Sequence, residues 1–142
     1  DRLMVKGAKL LLETVRLIEQ GRAPRRPQDH SQATYAFRLK KEDAQVDFNR
    51  PAVELDRLIR AMNPWPVAWA QIRGETVRIW EALPSSQEGP PGEVLALSEQ
   101  GLLVACGRGS LFLQELQRPG GKVLSGLDFA NGLRLRVGDK LS

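Results

Sequence analysis

Apolar residues along positions 2–20 recur at a helical period. Leu3, Gly7, Leu11, Val15 and Ile18 fall on one face, flanked by Leu10, Leu12 and Leu17, which predicts an amphipathic helix. Gly21 stands where a helix ends on a left-handed glycine, and Pro24 and Pro27 follow it. Asp1 offers no convincing N-cap and nothing upstream covers the apolar face, so the chain is expected to begin inside a larger structure. Between 21 and 37 the period disappears among Arg22, Arg25, Arg26 and two prolines, the pattern of a linker or extended arm. Val46 and Phe48 then alternate with Gln45 and Asp47, an extended piece expected to anchor on the domain that follows.

A second helix is predicted by Leu55, Leu58, Ile59 and Met62, spaced for a single buried face. Asn49 or Arg50 is the expected cap, Pro51 suits the first turn, and Asn63-Pro64 ends the helix. Short strands follow: Val67 to Ile72, Thr76 to Leu83, Glu93 to Leu97, Leu102 to Cys106 and Ser110 to Gln117. In the second, Val77, Ile79 and Glu81 are expected on one face and Arg78, Trp80 and Ala82 on the other. Arg73-Gly74-Glu75 reads as a hairpin turn, and Pro84 to Gly92 as a loop. Ser125 to Asn131 is a candidate for one or two helical turns before an extended piece, Leu133 to Leu141. Trp65 is expected to pack under the first strand, with Pro64 and Pro66 holding the chain extended into it. Arg60 is read as a structural ion-pair or cap residue. The fold class is therefore mainly β with flanking helices: a small OB-like barrel preceded by a helix and an extended linker.

Composition limits what such a chain can do. With 142 residues and 42% apolar content, it can bury one modest core. No apolar run reaches the roughly 18–20 residues of a membrane span, so no membrane partner is expected. Lys6, Lys9 and Glu13 interrupt the first apolar run, unlike a signal peptide. The one cysteine, Cys106, rules out an internal disulfide framework and a cysteine-rich zinc site; it reads as a buried small hydrophobe in an intracellular, reducing compartment. Residues 1–28 carry seven basic and three acidic groups, residues 51–105 four and seven, and residues 106–142 six and three. Basic ends around an acidic middle fit a polyanion partner and fit ordinary solubilising charge equally well.

Candidate chemistry is sparse. Gly107-Arg108-Gly109 opens like a dinucleotide fingerprint, but Phe112 replaces the third glycine and a strand follows, so a turn is the better reading. Gly120-Gly121-Lys122 ends like a phosphate loop, but Val123 replaces the hydroxyl residue and Leu116 the first glycine. His30 is the only histidine and lies in the linker, so no catalytic triad can be built. No ligands cluster for a metal. The residues alone describe a binding module with a basic arm.

Five stretches carry more. Tyr35-Ala36-Phe37-Arg38-Leu39-Lys40-Lys41-Glu42-Asp43 precedes the pair Asp47-Phe48; Ile59-Arg60-Ala61-Met62-Asn63-Pro64-Trp65-Pro66 follows; then come Pro91-Gly92 and Leu116-Gln117-Arg118-Pro119-Gly120-Gly121-Lys122. In their order and spacing they resemble the C-terminal part of the methionyl-tRNA formyltransferase family. Phe48 stands where tryptophan is commoner, and Arg38 where lysine is. The resemblance implies that residues 1–20 are the last helix of a formyltransferase domain, 21–45 a linker, and 46–142 an OB-like domain. It implies that the family's catalytic Asn, His and Asp lie upstream of Asp1, so that this chain alone should not transfer a formyl group. The whole enzyme would pass that group from 10-formyltetrahydrofolate to initiator methionyl-tRNA.

By the same resemblance, the expected partners are initiator methionyl-tRNA and the N-terminal catalytic domain. A cytoplasmic monomer is expected. Arg38 and Lys41 match linker cations of related enzymes and are the implied tRNA contacts. Arg118, Lys122, Arg134 and Arg136 are added on charge alone. Two other enzymes share the architecture, formyltetrahydrofolate dehydrogenase and the bacterial aminoarabinose-formylating enzyme, but a further large domain follows the barrel in both. Here the chain stops after Gly138-Asp139-Lys140-Leu141. A brace without tRNA contact is the reading from another class.

Overall fold

The computed structural model describes residues 2–141, and the uncapped start expected at Asp1 lies outside them. The chain divides into two compact units, Asp1–Phe37 and Arg38–Ser142.

In the first unit, α1 spans Arg2–Glu19. It ends as its sequence requires: Gly21 takes φ 67°, its N–H donates to the Ile18 carbonyl, and the Arg22 N–H reaches back to Leu17 at 2.8 Å. None of its side chains is buried within the unit.

The second unit begins eight residues before the expected linker boundary. The segment 38–45 packs as part of the domain: Ala44 is fully buried, Gln45 bridges Trp69, and the Val46 N–H donates to the Trp69 carbonyl at 2.8 Å. Val46 and Phe48 are buried beside it, as their alternation predicts.

Helix α2 spans Ala52–Met62 and buries Ala52, Leu55, Ile59 and Met62, with Leu58 half-buried. The expected cap is corrected. Pro51 occupies the N-cap position with no side-chain cap, while Asn49 turns its amide onto Asp47 at 2.8 Å. The first turn is served instead by the Arg108 carbonyl, which accepts from the Ala52 N–H at 2.9 Å.

After α2 the chain turns through 63–66 instead of running extended. Asn63 anchors the turn by donating to the Trp80 carbonyl at 3.2 Å. This overturns the expected role of Trp65, which is 55% exposed. Val67 takes the inward position and closes the turn with its N–H on the Met62 carbonyl at 2.9 Å.

Six antiparallel strands follow: β1 (Ala68–Ile72), β2 (Glu75–Ser85), β3 (Val94–Ser98), β4 (Gly101–Ala105), β5 (Ser110–Gln117) and β6 (Val123–Ser125). Their order is β1-β2-β5-β4-β3, with β6 on β5. The mainly β class with flanking helices is as expected, while the sheet stays open: among the described residues its path does not return from β3 to β1 as a strand ladder. Each edge is covered locally. Residues 45–46 lie along β1, and Lys140 bridges Glu93 beside β3.

Arg73 and Gly74 both take positive φ, the geometry of a two-residue hairpin turn between β1 and β2. Register shifts on either side of Glu81 interrupt the alternation of β2. As a result Ala82 is buried and Glu81 exposed, the reverse of strict alternation. Ser125 caps α3 (Gly126–Gly132), its hydroxyl accepting from the Asp128 N–H at 3.0 Å. One core unites the inner residues of the sheet with Leu55 and Ile59 of α2 and Phe129 and Ala130 of α3.

Candidate functional site

Cross-strand register builds the site. Ala68, Ala70, Val77, Ile79 and Leu116 point into the core, so their neighbours point to solvent. Trp69 pairs with Arg78, and Arg78 with Gln117, which sets the three in a row across β1, β2 and β5 on the outer face. Thr76 lies on the same face, two residues before Arg78.

Lys41 joins this row through its backbone. Its carbonyl accepts the indole N–H of Trp69 at 2.8 Å, and the following 3-10 turn, Glu42–Ala44, is pinned by buried Ala44. At the far end, Arg118 leaves β5 and returns to Glu75, with Nε at 2.8 Å and Nη2 at 2.5 Å from the two carboxylate oxygens. Those hydrogen bonds hold the Glu75 carboxyl below its usual range. Between these groups lies a cleft of about 510 Å³, lined among others by Lys41, Glu42, Trp69, Arg78, Gln117 and Arg118.

The cleft's polar inventory is largely committed. Gln117 accepts from the Trp80 indole at 3.1 Å and donates to the Gly121 carbonyl at 2.8 Å. Thr76 Oγ1 accepts from Gln71 at 2.9 Å, which leaves its hydroxyl hydrogen to donate. Among the described residues, no carboxylate pairs with Lys41 or Arg78, and both are exposed. Among the described residues, Glu42 is the one carboxylate lining the cleft. The arrangement can hold an anion of phosphate size against two free cations.

Of the cations singled out in the sequence, the fold brings Lys41 and Arg118 together here. Arg38 is exposed at the head of the second unit. Lys122 is exposed in the β5–β6 connection and does not line the cleft. Arg134 (φ 53°) and Arg136 are exposed after α3, and the Arg136 N–H donates to Asp139 at 2.9 Å. Arg78 stands out only once the chain is folded. In sequence its signal is a polar position in an alternating strand, and only the register with Trp69 gives it a place. Arg60 chelates Asp56 on α2, with Nη2 to Oδ2 at 2.8 Å, as a structural ion pair. Burial pushes the Cys106 thiol up to about 12. Among the described residues, no group of three His, Cys, Asp or Glu is placed to hold a metal, and no helix is long and apolar enough to cross a membrane.

The model of the family described as "Formyl transferase, C-terminal domain" matches residues 38–134. The methionyl-tRNA formyltransferase of Pseudomonas entomophila (strain L48) is 46% identical over 134 residues, covering 94% of this chain and 43% of that protein. That of Stutzerimonas stutzeri (strain A1501) is 47% identical with the same coverage. The chain thus spans less than half the length of these curated relatives. Among solved structures, a HypX variant from Aquifex aeolicus superposes with a TM-score of 0.67 at 20% identity, covering 93% of this chain and 24% of that one. HypX in complex with tetrahydrofolic acid gives 0.66 at 21% identity, covering 91% and 23%. At those identities the likeness carries the fold alone. The matched span begins at Arg38, where the second compact unit begins, and takes in every strand and α2 and α3: the chain belongs to the family of formyl transferase C-terminal domains.

Proposed function

We propose that this chain is the tRNA-holding part of a methionyl-tRNA formyltransferase, and that it supplies cations to the phosphate backbone while chemistry occurs on another domain. The observation that carries the reading is the convergence of Lys41, Arg78 and Arg118 on one cleft of the sheet's outer face. Arg38, Lys122, Arg134 and Arg136 extend the charge as exposed cations outside the cleft. Phosphate contacts of this kind supply affinity and orientation, without sequence readout. In this reading the partners are initiator methionyl-tRNA and the enzyme's catalytic domain. The formyl donor, 10-formyltetrahydrofolate, is bound by that domain, and the enzyme works as a monomer in the cytoplasm.

The test is titration of the 142-residue chain with transfer RNA at low and at physiological salt. Micromolar binding that weakens steeply with salt is expected. Absence of binding at low salt would overturn the reading in favour of a brace for the catalytic domain.

A further inference from the structure

We infer that Lys41 and Arg78 form a two-cation subsite for a single RNA backbone phosphate, with Arg118 held in reserve by Glu75; this rests on the tRNA reading above.

The cleft has three cations, but they differ in availability. Arg118 spends Nε and Nη2 on Glu75, so a phosphate recruits that face of its guanidinium only by displacing a carboxylate. Among the described residues no ion pair engages the Arg78 fork, and the fork suits two oxygens of one phosphate. Lys41 adds a point charge on a flexible stem, and Trp69 anchors its backbone beside the cleft through the 2.8 Å hydrogen bond to the Lys41 carbonyl. The Thr76 hydroxyl, two residues from Arg78, can donate to a third oxygen, since its lone pair already accepts from Gln71. Gln117 is a wall of the cleft, with both ends of its amide engaged. Glu42 offsets part of the charge and leaves a net attraction.

The experiment compares the full chain with R78A, K41A, R78K, R118A and E75Q, each titrated with transfer RNA across a salt series. One phosphate contact contributes a slope of about 0.7–0.9 in log affinity against log salt, which is roughly five- to eightfold at 0.1 M salt. R78A and K41A are each expected to lose that factor and to flatten the slope by that amount. R78K should keep the slope and recover only part of the affinity, because lysine keeps the charge without the fork. R118A should lose less than R78A, and E75Q should bind more tightly than the parent chain. Arg78 makes no ion pair among the described residues, so R78A should melt with the parent chain. If the parent binds and R78A keeps its affinity and slope, the subsite is wrong and the tRNA reading stands. If the parent binds no transfer RNA at low salt, both are wrong.

Discussion

The indole N–H of Trp69 donates to the backbone carbonyl of Lys41, 28 residues earlier, at 2.8 Å. One hydrogen bond thereby joins a core-packed strand to the basic segment in front of it. Trp69→Phe keeps an aromatic, though smaller, side chain and removes the donor. The carbonyl can turn to water, so stability should fall by about 1 kcal/mol, read from the shift in denaturant midpoint. Binding should weaken as well. A double-mutant cycle separates the two effects: in a Lys41→Ala background the stability loss should persist, because the carbonyl remains, while the binding loss should vanish.

Asp139 accepts from the Arg136 N–H at 2.9 Å and from the Arg73 guanidinium at 2.8 Å, and its own carbonyl accepts the Val94 N–H at 2.8 Å. The residue ties the β1–β2 turn to the C-terminal segment and to β3. Its carboxyl is held below the ordinary 3.8, first by the Arg136 N–H, with the Arg73 charge adding to it. A depressed folded-state value means that the contribution is present above pH 3.8 and disappears as pH falls through the lower folded value. Asp139→Asn should therefore be less stable than the parent at pH 7. The difference should shrink once pH drops below 3.8, as thermal melts along a pH series will show.

Gly126 begins α3 against the backbone of the central strands. A Cβ there would meet the Leu113 carbonyl oxygen and the Leu102 nitrogen, neither of which can move without breaking the ladder. Gly126→Ala should cost about 2–3 kcal/mol. Gly132, at the other end of the helix, has open space around it and serves as the control. Gly132→Ala should lie within about 1 kcal/mol of the parent.

Cys106 is 1% exposed, and burial pushes its thiol up to about 12. The thiolate is the reactive form, so a disulfide reagent at pH 8 should leave the folded chain unmodified and label it fully in denaturant. Labelling at equal rates in both states would contradict the buried placement.

Much of this architecture is legible in the residues. Ser110 to Gln117 is a strand as its alternation predicts, the candidate helical turns at Ser125 to Asn131 form α3, and Arg73-Gly74 makes the hairpin turn. Those features are written in local chemistry: alternation in the strand and a glycine at positive φ in the turn. What stayed hidden depends on partners far along the chain. Glu81 and Ala82 exchange faces because of the irregular pairing of β2 with β5, which no window on β2 alone contains. β6 is three residues long and has meaning only as an addition to β5. Trp65, expected under the first strand, yields its inward place to Val67 because the chain turns at 63–66. At the site, the charges of Lys41 and Arg118 were visible while their unequal freedom was not, because the Glu75 that occupies Arg118 lies 43 residues away. Arg78 needed the register between β1 and β2 to acquire neighbours at all.

The segment that bears Lys41 also lies along β1, where residues 45–46 occupy the sheet's outermost backbone groups. Unpaired strand edges recruit other chains. Loosening this segment would therefore uncover a template for intermolecular strand pairing, so the danger in engineering around Lys41 is loss of solubility as much as loss of affinity. Substitutions there are best judged by light scattering before they are judged by titration.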